Sequence, residues 1–225
     1  MSNLPVLSLL ETRVVGVLVE KQHTVPDTYP LTLNSLVSGC NQKTSRDPVI
    51  EATEAEVQAV VDRLRALSLV VESSGGRVMR YAHNAGKVLN VPGQSVAILA
   101  VLFLRGPQTP GELRINSDRL YKFGDISAVE GFLDELAERG FVRQLARQPG
   151  SREARWAHLL SGESAIPAAT STAEFPQAAR GDGDALTAGE LAAIKANVDH
   201  LQAEVASLKE TVARLCKELG LPPLS

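Results

Sequence analysis

Apolar positions recur with helical spacing from Leu9 through Val14, Val17 and Leu18, and Ser8 with Glu11 stands where a capping box would open that helix. A polar break from His23 to Tyr29 leads through Pro30 into Leu31 to Cys40, which predicts a short second helix with Leu33, Leu36 and Val37 on its buried edge. Thr53 and Glu56 form another capping box, ahead of Val57, Val60, Leu64 and Leu67 at the spacing of a third buried helical stripe. Leu69 to Val71, the Gly75-Gly76 turn and Val78 to Tyr81 then predict a two-stranded ribbon closed by a hairpin.

The same order returns downstream. An apolar helix is predicted from Ser95 to Leu104, a short one near Gly111 to Asn116, a third beginning at Ser127, and a ribbon around Phe141 to His158. Thr109 with Glu112 and Ser127 with Glu130 supply the capping boxes. Val57, Leu64 and Val70 match Val129, Leu136 and Val142 at an offset of 72, whereas Arg80-Tyr81-Ala82-His83 returns as Arg155-Trp156-Ala157-His158 at 75, so the second hairpin is longer by three residues. Three helices followed by a hairpin are the winged-helix plan. The expected fold is α+β, predominantly helical: tandem winged-helix domains over residues 5–88 and 90–160, followed by a linker and a C-terminal coiled-coil helix.

Several runs carry a closer likeness. Leu10-Glu11-Thr12-Arg13-Val14, Glu20-Lys21, the stretch from Pro26 to Leu36 and the loop from Cys40 to Val49 resemble the YceH family of bacterial proteins, as do Leu104 to Leu113 and the Arg155-Trp156-Ala157-His158 ending. The resemblance covers roughly residues 8–162 and implies a winged-helix pair. It implies no reaction, cofactor or catalytic residue, and no family motif is assigned beyond residue 162.

Residues 163–186, rich in Ala, Gly, Pro, Ser and Thr, read as a flexible linker. The pattern then changes abruptly over 187–219. Leu191, Ile194, Val198, Leu201, Val205, Leu208, Val212, Leu215 and Leu219 alternate at intervals of three and four, behind a capping box at Thr187 and Glu190. Val at most a positions with Leu at most d positions favours a parallel dimer. Across that seam Glu190 pairs with Lys195 and Glu204 with Lys209; packing of the same stripe within one chain is the alternative.

Composition narrows the function. Aromatic residues are 4% of the 225, too few for a broad base-stacking platform, and the formal charge of −3 supplies no global basic field. The negative excess is local: residues 1–88 hold nine cations and nine anions, residues 89–162 nine and eight, and residues 163–225 five and nine. Cys40 and Cys216 lie in segments of different character, so neither a disulfide framework nor a metal knuckle is expected, which suits the cytoplasm. No signal sequence is read, and the strongest apolar stretch, Val96 to Leu104, is too short to cross a bilayer.

Chemistry-bearing patterns are sparse. His23, His83, His158 and His200 lack zinc spacing, no phosphate loop or dinucleotide fingerprint is present, and Cys40 has no placeable base, so no enzyme, cofactor or metal is expected. His83 and His158 end equivalent ribbons, which points to a local structural role. The polar loop Gly39 to Asp47 reads either as a structural bracket or as a binding surface. Glu54, Gln58, Asp62 and Arg65 face outward on the first repeat's third helix. The second repeat's third helix presents Glu130, Asp134 and Glu138 beside Arg139, which makes it a poor reader of DNA. The candidate nucleic-acid or partner contacts are therefore Lys43, Arg46, Arg77, Arg80, Arg143, Arg147, Arg152 and Arg155. The expectation is a non-enzymatic homodimer associated with duplex DNA as a regulatory or accessory protein, the alternative being a protein-interaction adaptor that binds no DNA.

Overall fold

Helix α1 (Leu9–Thr24) starts where Ser8 and Glu11 satisfy each other's amides: the Glu11 amide donates to Ser8 Oγ at 3.2 Å and the Ser8 amide to Glu11 Oε2 at 2.6 Å. The computed structural model describes residues 6–73, 78–147 and 153–162. A single 3₁₀ turn over Pro26–Thr28 leads to β1 (Leu31–Thr32), α2 (Leu33–Cys40) and α3 (Glu54–Ala66), the last two capped by Thr32 and Thr53. Strands β2 (Val70–Ser73) and β3 (Arg80–His83) complete an open antiparallel sheet of order β1-β3-β2.

Helix α4 (Ala85–Leu89) ends at Asn90, whose left-handed φ of 53° turns the chain into α5 (Gly93–Arg105). Then come α6 (Pro110–Asn116), α7 (Ile126–Glu138), β4 (Val142–Gln144) and β5 (Trp156–His158). The fold is mixed α+β and mostly helical, with two small open sheets. In the described residues the order of three helices and a ribbon occurs twice. Val70 pairs with His83 and Val142 with His158 across the two ribbons, so the residues matched by offset occupy the same register. The place of β1 is taken in the second repeat by an isolated bridge between Gln108 and Trp156.

Local departures from the expected pattern have identifiable causes. Leu31 belongs to a strand paired with Tyr81, and the helix begins only at Leu33, because the Thr32 side chain accepts the Ser35 amide. The third helix of the second repeat starts at Ile126, one residue before the expected Ser127, and its cap is Asp125, which takes the Ala128 amide at 2.8 Å in place of a Ser127–Glu130 box. On α3 the buried stripe is Val57, Val61 and Leu64, with Val60 and Leu67 only partly covered; on α2 it is Leu36, Gly39 and Cys40. Helix α4 was not expected from the apolar spacing.

One hydrophobic cluster runs through both repeats, from Val14, Val17 and Leu18 on α1 to Ile98 and Leu102 on α5. These two helices meet closely because α1 carries Gly16, where a Cβ would stand 3.0 Å from Leu104 Cδ2 and 3.2 Å from Phe103 Cβ. Gly39 on α2 approaches α1 more tightly still, since its Cβ would lie 2.6 Å from Val17 Cγ1. Val17 is β-branched and fully buried, so it has little room to turn aside. The C-terminal unit, residues 173–225 with the seam from Leu191 to Leu219, lies outside the described residues.

Two glycine-to-alanine substitutions should therefore act in opposite directions. Gly39→Ala overpacks the α1–α2 contact and should cost about 1–3 kcal/mol. Gly131→Ala, on the exposed face of α7 with nothing within 4 Å of the new Cβ, should gain about 0.5–1 kcal/mol. Urea denaturation midpoints of the two variants check the signs.

Candidate functional site

The loop from Gly39 to Pro48 is polar because it houses two guanidinium groups. Arg13, fully buried on α1, donates from Nη1 to the Cys40 carbonyl at 3.3 Å and from Nη2 to the Pro48 carbonyl at 2.6 Å, tying together the two ends of the loop. Arg46 turns inward from the loop itself. Its guanidinium donates to the carbonyls of Gly39 and Ser45 and, in a fork, to Glu20 Oε1 at 3.2 Å and Oε2 at 2.7 Å. Burial opposes the charge on Glu20, but the Arg46 fork and the Lys21 ammonium hold its carboxyl below the ordinary value, so it stays ionised. Asn41 closes the loop onto the start of α3 by exchanging two 2.8 Å hydrogen bonds with the Ala52 backbone.

The same loop is stitched to the second repeat. The Asp47 amide donates to the Leu104 carbonyl at 2.8 Å, and Arg105 Nη2 donates to Ser45 Oγ at 2.7 Å. Arg46, expected among the outward contacts, is thus an internal bracket, whereas Lys43 remains exposed.

The ribbon arginines follow one rule in both repeats. Arg80 Nη1 reaches the Pro30 carbonyl at 2.8 Å and the Thr28 carbonyl at 3.1 Å. Arg155 Nη1 reaches the Pro107 carbonyl at 2.8 Å, while its Nη2 pairs with Glu112 Oε1 at 3.1 Å. Pro30 and Pro107 stand two residues before the capping threonines of α2 and α6, so each arginine clamps its ribbon to the entry of its repeat's second helix. Arg143 and Arg147 are exposed and engaged in interactions of their own; Arg77 and Arg152 lie outside the described residues. The eight candidates do not form one free basic stripe.

A different set of cations lies at the surface. Arg114 on α6, and Arg119 and Lys122 between α6 and α7, are exposed and close in sequence to Ile115 at 71% exposure and Tyr121 at 40%. Sequence reasoning passed over them. The signal was the inward pair Leu113 and Ser117, whose i, i+4 spacing turns Ile115 to solvent. On α7 the exposed face carries Glu130, Asp134, Glu135 and Glu138.

Residues 7–151 match the family described as "Protein of unknown function, DUF480". The chain belongs to the UPF0502/YceH family. It is 56% identical over 217 residues to a UPF0502 protein of Leptothrix cholodnii, covering 96% of each chain. It is 58% identical over 220 residues to one of Methylibium petroleiphilum, covering 97% of this chain and 92% of the relative. A Cupriavidus necator member is 53% identical over 219 residues, with 96% and 88% covered. Of the runs on which the family likeness rests, Leu10–Val14 carries the buried Arg13, Cys40–Val49 carries the buried Arg46, and the Arg155–His158 ending carries the second repeat's clamping arginine.

Chemical reactivity at these positions is low. Burial pushes the Cys40 thiol up to about 12, outweighing the nearby Arg13 and Arg46 charges, so it stays protonated at neutral pH. Among the described residues no group of three or more His, Cys, Asp or Glu side chains could hold a metal ion, and no helix is long and apolar enough to cross a membrane.

His83 and His158 are the remaining titratable pair. His83 contacts Gln22 Oε1 through Nε2 and donates its amide to Tyr29 Oη at 2.9 Å; His158 packs edge-on against Phe103 at 4.8 Å. Burial, with the His23 charge added at His83, lowers both from the ordinary 6.5 to about 4. The unfolded chain takes up these protons first. The stability the neutral imidazoles contribute is complete above pH 6.5 and is lost progressively as the pH falls toward 4. Denaturation across that window should show the decline, and His83→Gln with His158→Gln should flatten it.

Proposed function

We propose that this chain is a non-enzymatic protein-interaction adaptor built from tandem winged-helix domains and acting as a cytoplasmic homodimer. Supporting the winged-helix reading is the repeated order of three helices and a ribbon, with a third strand or bridge leading into the second helix of each repeat. The observation that carries the adaptor reading is the internal engagement of basic side chains that a DNA-binding loop and ribbons would turn outward: Arg46, Arg80 and Arg155 all donate to the chain's own carbonyls or carboxylates. The second repeat's third helix would add Glu130, Asp134, Glu135 and Glu138 against phosphate.

DNA association is the second reading, favoured by the exposed cations Lys43, Arg114, Arg119 and Lys122. Fluorescence anisotropy of a labelled duplex separates the two. The adaptor reading expects only non-specific affinity, at a Kd of about 10⁻⁴–10⁻⁶ M near physiological salt. Sequence-selective binding orders of magnitude tighter would replace it with the DNA reading.

Dimerisation is supported by the heptad stripe from Leu191 to Leu219, which pairs Val-rich a positions with Leu-rich d positions. A doubled adaptor gains avidity for a partner without any new contact. Replacing Leu201 and Leu208 with Asp should convert the protein to monomers in sedimentation equilibrium, and an unchanged mass would sink the dimer.

A further inference from the structure

We propose that the cleft enclosed by the end of α1, the Gly39–Pro48 loop and α6 binds a small organic anion, a carboxylate or phosphate ester carrying an apolar body. The cleft has a volume of about 610 Å³, within the range of small-molecule sites. It draws walls from both repeats: Lys21 from α1 and Val25 from its C-cap, Ser45 from the loop, Arg105 from α5, and Ile115 with Arg119 from α6 and the turn beyond it. The inference is independent of whether the protein acts on a protein or on DNA.

Its charge is not balanced from within. Of the two carboxylates lining the cleft, Glu20 is engaged by Arg46 at 2.7 Å and by Lys21 at 3.0 Å. Asp118 is exposed and forms no ion pair among the described residues. Arg105 is partly buried and positioned by Ser45 Oγ at 2.7 Å, yet neither it nor Arg119 has a carboxylate within ion-pair distance among the described residues. A guanidinium partly withdrawn from water and fixed in direction by a hydroxyl has donors left for an anionic oxygen. Ser45 holds that hydroxyl in place from a left-handed backbone, φ 59°, with its carbonyl accepting from Arg46 Nη1 at 2.9 Å.

The cleft also has an apolar side that the cations do not explain. Val25 at 39% exposure and Ile115 at 71% line it, and Ile115 is the most exposed large aliphatic side chain described. A ligand with an anionic head toward Arg105 and Arg119 and an apolar body against Ile115 satisfies both features. Inorganic phosphate alone would meet only the first.

Calorimetric titration of the full chain with phenyl phosphate, inorganic phosphate and benzyl alcohol tests this. Phenyl phosphate should saturate, inorganic phosphate should bind at least about tenfold more weakly, and benzyl alcohol should show no saturable binding. Arg105→Gln and Arg119→Gln should each weaken phenyl phosphate by about tenfold or more, with Arg105→Lys keeping part of the affinity. Ile115→Ser should abolish the preference for phenyl over inorganic phosphate. If Arg105→Gln disturbs folding, as judged by circular dichroism, the exposed Arg119 decides. Absence of saturable phenyl phosphate binding, equal binding of benzyl alcohol, or unchanged affinity in folded Arg119→Gln would each overturn the proposal.

Discussion

The close approach of α1 and α5 at Gly16 is the constraint on which the rest of the molecule hangs. Each of these helices is the first of its repeat and would present an apolar face to water if its repeat stood alone. With no side chain at Gly16, Leu104 and Phe103 can seat against the α1 backbone, and two small cores become one. Small domains bury a low fraction of their surface, so fusion gives each repeat burial that it could not reach by itself. That is why the hydrophobic residues of α5 are covered nearly all round, from Ser95 to Leu104, where a helix on the surface of a separate domain would keep one polar face.

Fusion sets the electrostatics above it. A polar loop crossing the junction needs its backbone satisfied, and Arg13 and Arg46 do so from inside. Two neighbouring buried guanidiniums are tolerated because both are bonded to backbone carbonyls and Arg46 is also paired with the Glu20 carboxylate, so most of their Nη donors are satisfied without bulk water. Arg13 keeps a cost: burial, then the neighbouring Arg46 charge, pull it below its ordinary value. The same logic turns Arg80 and Arg155, at the loop end of their ribbons, onto carbonyls at the entries of α2 and α6. Basic residues on such ribbons thus need not signal nucleic acid.

Much of this architecture was legible in the amino-acid order. The capping boxes at Ser8, Thr53 and Thr109 form as their spacing dictates, because the motif is closed within four residues. The duplication was legible in the offsets that match Val70 with Val142 and His83 with His158, and the structure pairs each valine with its own repeat's histidine across the ribbon. The bracket reading of the Gly39–Asp47 loop was open, since nothing local tells whether Arg46 points to solvent or to Glu20, 26 positions earlier. The α7 start was misplaced because Asp125 competed successfully with Ser127 for the cap. The cleft was invisible for a different reason: its walls come from both repeats and are joined only when the two fuse, as Arg105 and Ser45, 60 positions apart, show.

The arginine clamps have an implication for how such a ribbon can vary. Each fixes the loop end of a strand ladder to the entry of a helix, at a point set by the backbone and not by the length of the loop beyond it. The second hairpin carries three more residues than the first, yet Arg80 and Arg155 meet equivalent carbonyls at the same 2.8 Å. Length and composition beyond the clamp are therefore free to drift without disturbing the core. A pair of such hairpins on one fused body gives a lineage two independently adjustable surfaces on a scaffold that need not change.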